Sequence, residues 1–168
     1  GLVFEKAFAE TTVSLLSHLR SKPECRDLVA ELRALGLSDA NVDANGYVMA
    51  TVPATTVKRN VPAIGFIAHV DTSPEMPGSD VVPIVHRDYD GRDLLLPDDP
   101  SAVLRLRDCP ALAEQMGHDI VTASGTTLLG ADNKAGVAEI VTAAEYLMQH
   151  PEIAHGPIRI AFTPDEEI

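Results

Sequence analysis

Residues 63–70, AIGFIAHV, decide the fold, because they form the most apolar run in this 168-residue chain. The run has too little polar alternation for a strand with one solvent-exposed face, so it predicts a central strand covered on both faces. Residues 158–162, IRIAF, predict a second buried strand. Helical patterns separate the two. The chain is therefore predicted to be α/β, with a mixed, partly parallel sheet flanked by helices.

Apolar spacing predicts helices on either side of the first strand. Residues 1–36 contain two such patterns, Phe4, Phe8, Val13, Leu16 and Leu19, and then Leu28, Val29, Leu32 and Leu35. Residues 132–150 form the strongest helical pattern, which Pro151 ends. Asn45-Gly46 predicts a turn before a strand at 47–52. Residues 72–100 predict a long surface loop, and residues 101–116 a helix disturbed by Pro110.

The charge balance excludes some classes of partner. The chain has 13 Lys and Arg against 25 Asp and Glu, a formal charge of −12. Such an acid excess argues against binding nucleic acid or an anionic membrane surface. No stretch has the ~18 consecutive apolar residues of a membrane span. Glu5 and Lys6 interrupt what would be the apolar part of a signal peptide, so a cytoplasmic protein is expected.

Three short segments place acids or imidazole just after a strand or at the start of a helix. They are HVD at 69–71, GADNKAG at 130–136 and TPDEE at 163–167. Ligands of open α/β sheets bind outside the carboxyl ends of the strands. The three segments are therefore predicted to share one site.

Each candidate residue has a chemical and a structural interpretation. His69 and Asp71 face the same side of an extended backbone, so the carboxylate could orient an imidazole bound to a metal. Alternatively, they are a strand-end histidine and a solvated acid. Asp132 fits a helix N-cap or a metal-bridging carboxylate. Glu166 and Glu167 fit a solvated loop, or a general base beside a metal ligand.

The three segments with their flanks resemble the signature blocks of the M20 metallopeptidases, most closely those of the tripeptide aminopeptidases. The blocks are HVDTSP at 69–74, LGADNKAG at 129–136 and FTPDEE at 162–167. The resemblance extends in order over nearly the whole chain. It implies a di-zinc exopeptidase-like catalytic domain, of which residues 1–168 are the N-terminal portion. The lid domain and the C-terminal part of the catalytic domain would be absent.

The resemblance also implies a role for each site residue. His69 would ligate one zinc ion, with Asp71 orienting it, and Asp132 would bridge two zinc ions. Glu166 would be the general base, and Glu167 would ligate the second zinc. Co²⁺ or Mn²⁺ could replace zinc. The remaining ligands of the family, an aspartate and a histidine, lie beyond the point that matches Ile168, so the isolated chain is expected to be inactive.

The implied function is a zinc-dependent aminopeptidase that releases the N-terminal residue from tripeptides. Its partners would be small peptide substrates, with a homodimer possible for the full-length protein. Two alternatives stay open: another M20 amide hydrolase, either a dipeptidase or an N-acyl amino acid deacylase, and an inactive metal-binding fragment. His86, Asp88 and Arg92 either touch substrate or are solvated loop residues. Lys134 is expected to be a solvated charge on the helix surface.

Overall fold

The computed structural model describes residues 25–168, which form two compact units. The first unit comprises residues 25–72 and 131–168, and the second comprises residues 73–130. The helix predicted from Phe4 to Leu19 lies outside the described residues. In chain order, the elements are α1 (Cys25–Ala34), β1 (Asn41–Val42), β2 (Val48–Val52), β3 (Ile64–His69), β4 (Ile84–His86), β5 (Leu94–Leu95), β6 (Val103–Leu104), a 3-10 helix (Pro110–Gln115), β7 (Ile120–Thr122), α2 (Ala131–Gln149) and β8 (Ile158–Thr163).

A four-stranded sheet with the order β1–β2–β8–β3 organises the first unit. The β1–β2 and β2–β8 pairs are antiparallel, whereas β3 and β8 are parallel. In that parallel pair Ile64 lies opposite Ile158 and His69 lies opposite Thr163. The predicted mixed, partly parallel α/β architecture is confirmed. Neither described helix combines the length and the apolar character that crossing a membrane requires.

Both helices pack on this sheet through the apolar positions that define their patterns. The helix α1 buries Leu28, Val29 and Leu32, and ends before Gly36, whose φ of +96° suits glycine. The helix α2 buries one stripe at helical spacing, and β8 alternates buried and more exposed residues. The helices predicted around residues 28–35 and 132–150, and the strand predicted at 158–162, are therefore confirmed.

The strand β3 departs from its predicted environment. It lies at an edge of the sheet rather than at its centre, and only Ala68 and His69 are buried. Phe66 is 49% exposed and Ile67 is 69% exposed. Among residues 25–168, β8 is the only strand that pairs with β3, so one edge of this apolar strand is uncovered. The prediction of a strand covered on both faces is wrong for the described part of the chain.

The second unit consists of short strands and loops around a small core. The strands β4 and β7 pair antiparallel, as do β5 and β6, and Tyr89, Leu94 and Leu112 are buried between them. The helix predicted for residues 101–116 is wrong, because that segment contains β6 and then the 3-10 helix. Pro110 stands in the first turn of the 3-10 helix, where its missing N–H costs no hydrogen bond.

Candidate metal centre

The site is built at the carboxyl ends of two parallel neighbours. His69 is the last residue of β3, and it lies opposite Thr163, the last residue of β8. The segments that follow these strands carry Asp71 on one side and Glu166 and Glu167 on the other. Because parallel strands end at the same edge of a sheet, the register alone brings these side chains together. All of them belong to the first unit, as does Asp132 near the start of α2.

His69 is held through both of its ring nitrogens. Its Nδ1 lies 3.0 Å from the main-chain oxygen of Asp71, to which an Nδ1–H donates. Its Nε2 lies 2.9 Å from Oδ1 of Asp132 and 3.9 Å from Oε2 of Glu166. Burial lowers the pKa of His69, but the Asp71 carbonyl, the Asp132 carboxylate and the charges of Asp71 and Glu166 outweigh it. The net pKa is raised above its ordinary value.

Asp71 connects the two strand ends by a route that the sequence did not indicate. Its Oδ2 accepts a hydrogen bond of 2.8 Å from the main-chain N–H of Glu167. Its Oδ1 is 3.4 Å from Nδ1 of His69, farther than the Asp71 carbonyl, and that buried oxygen accepts no hydrogen bond from the described residues. Burial raises the pKa of Asp71, but hydrogen bonds from the N–H groups of Glu167 and Glu166, together with the charge of His69, lower it by more. The net pKa of Asp71 is below its ordinary value. Asp71 therefore fixes the loop after β8 as well as facing the imidazole.

The side chains of His69, Glu166 and Glu167 form a cluster that could hold a metal ion. Their ligand atoms all lie within 4.8 Å of one another. Asp132 lies next to this cluster, because its Oδ1 contacts Nε2 of His69. The side chain of Asp132 is 87% exposed, so its second oxygen is accessible. One imidazole nitrogen with several carboxylate oxygens is a donor set that suits Zn²⁺, and also Co²⁺ or Mn²⁺. The buried Oδ1 of Asp71 beside His69 fits the same use, since metal-bound imidazoles are commonly paired with a carboxylate.

Asn133, not Asp132, caps the first turn of α2. Its Oδ1 accepts a hydrogen bond of 3.1 Å from the N–H of Gly136, three residues later. Asp132 has non-helical torsion angles, φ −86° and ψ 109°, and its carboxylate points to His69 instead. The N-cap interpretation of Asp132 is therefore wrong. The Asn-x-x-Gly spacing was the sequence signal for the cap that is observed.

Lys134 is buried, in contrast to the solvated charge expected from the sequence. It is 6% exposed and shares the inward stripe of α2 with Val137 and Ala138. Burial lowers the pKa of its ammonium group. Its position follows from helical spacing, because residues three and four apart lie on the same face.

His86, Asp88 and Arg92, whose roles the sequence did not decide, make contacts inside the second unit. The Nε2 of His86 lies 2.9 Å from Oγ1 of Thr122, across the β4–β7 pair. The N–H of Asp88 donates to Asp119, and Arg92 pairs with Asp90. The side chains of His86 and Arg92 thus have partners within the protein. A contact of His86, Asp88 or Arg92 with substrate stays a prediction.

Comparison with known proteins identifies close homologues. No protein-family model matches the chain. The chain is 57% identical over 143 residues to peptidase T from Geobacillus thermodenitrificans, an alignment covering 85% of this chain and 34% of that protein. It is 56% identical over 141 residues to peptidase T from Bacillus licheniformis, covering 84% and 34% of the two chains. The chain thus spans about a third of the length of these curated relatives.

Solved structures share the fold of the chain. Aminopeptidase PepT from Bacillus cereus matches with a TM-score of 0.65 at 25% identity, over 95% of this chain and 36% of that one. Aminoacylhistidine dipeptidase from Vibrio alginolyticus matches with a TM-score of 0.57 at 25% identity, over 94% and 28% of the two chains. Together with the sequence identity, these matches show that the chain is homologous to part of peptidase T, a peptidase of the M20 family.

Proposed function

We propose that the chain is part of the catalytic domain of a zinc-dependent aminopeptidase that releases the N-terminal residue from tripeptides. The observation that carries the proposal is the cluster of His69, Glu166 and Glu167 ligand atoms within 4.8 Å, on a chain 57% identical to peptidase T. The position of Asp132, 2.9 Å from His69, adds a further carboxylate. Small peptides are the corresponding substrates. The proposal includes a cytoplasmic location, which cell fractionation tests.

Each residue of the site has a part in the proposed reaction. His69, Asp132 and Glu167 would hold the two zinc ions. Bound zinc supplies Lewis-acid chemistry, which polarises a carbonyl and lowers the pKa of water. Glu166, the exposed member of the cluster, would take a proton from the attacking water and return it to the departing amine. Asp71 positions His69 and the segment that carries both glutamates.

We further propose that residues 1–168 are the N-terminal portion of a catalytic domain, and that other parts of a longer chain complete it. The share of the relatives that the chain covers, 34%, supports this division. So does the apolar surface of β3, where Phe66 borders an open apolar groove along Ile140, Ala143 and Leu147 of α2. A lid domain and the two remaining metal ligands would come from the same longer chain, which could also dimerise.

Zinc binding by this chain tests the site directly. We expect the unmodified chain, called the parent below, to bind Zn²⁺, and we would measure its affinity by competition with a chromophoric chelator. Glu167→Gln should weaken this binding at least tenfold. Glu145→Gln is the matched control, because Glu145 is 13 residues beyond Asp132 on the same helix, about 20 Å away. Equal affinities for the parent and Glu167→Gln would contradict the assignment. The chain by itself should hydrolyse tripeptides little or not at all, since its ligand set is incomplete.

A second candidate is a dipeptidase or N-acyl amino acid deacylase of the same superfamily. The likeness to the Vibrio alginolyticus dipeptidase, with a TM-score of 0.57, is the observation in its favour. The complete enzyme should be assayed on tripeptides, dipeptides and acylated amino acids. Preference for a tripeptide with a free amino group supports the aminopeptidase, and equal cleavage of blocked peptides contradicts it. The alternative of an inactive metal-binding fragment concerns residues 1–168 by themselves, and it holds if this chain binds Zn²⁺ and cleaves none of these compounds.

A further inference from the structure

The turn between β1 and β2 is a rigid support that lies against the loop after β8. Oδ1 of Asp43 accepts hydrogen bonds of 2.8 Å from the N–H of Asn45 and 3.0 Å from the N–H of Tyr47. The N–H of Asp43 donates to the main-chain oxygen of Tyr47 at 3.0 Å. Gly46 supplies the positive φ, +93°, that the turn requires. The backbone of Tyr47 is therefore fixed by its own turn.

Tyr47 reaches from this turn to the acidic loop. Its hydroxyl donates a hydrogen bond of 2.6 Å to Oδ2 of Asp165, which is 118 residues away in the sequence. The backbone of Gly46 also lies close to the ring of Pro164, since a Cβ on Gly46 would lie 3.3 Å from Cγ of Pro164. Asp165 immediately precedes Glu166 and Glu167. A contact on Asp165 therefore acts one residue away from Glu166 and two residues away from Glu167.

The ends of the same loop are held from the opposite side, by β3 and its extension. The N–H of Val70 donates to the main-chain oxygen of Thr163 at 2.8 Å. The N–H of Glu167 donates to Oδ2 of Asp71 at 2.8 Å. Tyr47 provides the fixed point between these two ends, from the β2 side. Its phenol suits this use, because the ring is stiff and loses little rotational freedom.

The hydrogen bond from Tyr47 also sets Asp165 apart from the two acids that follow it, Glu166 and Glu167. Asp165 is bound to the turn and is not among the ligand atoms that cluster within 4.8 Å, whereas Glu166 and Glu167 are. Without the phenol, three adjacent carboxylates would be free to exchange places around a cation. We propose that Tyr47 is a positioning residue, which holds Asp165 against the β1–β2 turn so that Glu166 and Glu167 present their carboxylates to His69. The part of this inference that concerns zinc rests on the proposed function.

The test compares Tyr47→Phe with Asp165→Ala, and uses Tyr146→Phe as the matched loss of an exposed phenolic hydroxyl elsewhere. Amide hydrogen exchange at Glu167 is measured in the zinc-free chain, and Zn²⁺ affinity by chelator competition. We expect Tyr47→Phe and Asp165→Ala each to speed exchange and to weaken zinc binding about tenfold, with no change for Tyr146→Phe. The double variant should be no weaker than either single variant, because both remove the same bond.

The outcomes separate this inference from the proposed function. Unchanged Glu167 exchange in both variants overturns the positioning role, whatever happens with zinc. Faster exchange with parental zinc affinity overturns its link to the metal site. If the parent binds no zinc, the proposed metal site fails, while the exchange data still decide whether Tyr47 orders the loop. Circular dichroism confirms that each variant is folded.

Discussion

At the scale of single residues, His69 is the group whose protonation the site controls. Its pKa is raised because the Asp71 carbonyl and the Asp132 carboxylate together outweigh the effect of burial. The proton on His69 therefore stabilises the zinc-free fold fully below pH 6.5, and this stabilisation is lost as the pH rises through the raised pKa. Zinc requires the neutral imidazole, so its binding must weaken as the pH falls through the same pKa.

We predict that NMR titration of the zinc-free chain finds His69 titrating above pH 6.5, and that Asp132→Asn moves its midpoint downward. The reason is that the substitution removes the carboxylate that accepts from Nε2. The zinc affinity of the parent should fall with pH over the same interval. A His69 midpoint below 6.5, or one that does not respond to Asp132→Asn, would be inconsistent with a carboxylate-bound imidazole.

Gly136 gives a second prediction at the residue scale. Alanine normally stabilises a helix by ~1 kcal/mol relative to glycine. Here a Cβ would lie 2.2 Å from Oδ1 of Asn133, and would displace the side chain that caps α2. Gly136→Ala should therefore leave the free energy of unfolding about unchanged, because the usual cost of a lost cap, ~1 kcal/mol, offsets the gain in helix propensity.

The control for this prediction is the same substitution in an Asn133→Ala background, where the clash is absent. There Gly136→Ala should stabilise the chain by ~1 kcal/mol, as measured by urea unfolding. A stabilising effect in the parent chain would show that the Asn133 cap contributes little. The sequence offered Asp132 as one candidate for the cap, because acids commonly cap helices, and only the torsion angles show that the helix proper begins after it.

At the scale of elements, the parallel pairing of β3 with β8 accounts for the part of the site that the sequence predicted correctly. Apolar strands followed by His69, Asp71 and the acids 165–167 could be recognised from local pattern, and their shared edge follows from parallel pairing. The long-range contacts could not be recognised. Nothing local to Asp71 indicates that it accepts from Glu167, and nothing local to Tyr47 indicates Asp165.

A prediction at this scale concerns Asp71, whose side chain connects the end of β3 to the loop after β8 by a hydrogen bond. Asp71→Ala should lower the free energy of unfolding of the zinc-free chain by about 2 kcal/mol, as expected for hydrogen bonds to a charged group. Asp98→Ala, which changes an exposed acid, should have little effect. Because the pKa of Asp71 is lowered, its contribution is present above pH 3.8 and is lost as the pH falls through its native pKa.

Thermal unfolding of both variants at neutral pH and at pH 3 checks this prediction. The difference between Asp71→Ala and the parent should shrink at the lower pH. If Asp71→Ala affected only zinc affinity and left the stability of the zinc-free chain unchanged, its role would be confined to the metal. The hydrogen bond to Glu167 would then contribute nothing to the fold.

At the scale of the whole molecule, the proposal that this chain is one part of a longer catalytic domain would explain the largest sequence-based error. The apolar run 63–70 predicts a strand buried on both faces, yet Ile67 is 69% exposed at the edge of the sheet. The composition of a strand reflects its surroundings in the complete protein, and this chain spans 34% of its relatives. The proposed remainder of the catalytic domain would supply the missing neighbours of β3.

This explanation makes a prediction about the isolated chain. An apolar strand edge that residues 25–168 leave unpaired favours self-association, so the unmodified chain should bind the dye ANS and associate at micromolar concentration. Phe66→Lys should reduce both effects and lower stability little, because Phe66 is already 49% exposed. Val57→Lys adds the same charge at a single apolar residue that is 98% exposed, and should change neither. In the complete enzyme Phe66→Lys should instead be harmful. The added part of the chain would bury the introduced ammonium group, which would lower stability and activity. Equal tolerance of Phe66→Lys and Val57→Lys in the complete enzyme would mean that the surface around Phe66 stays exposed there.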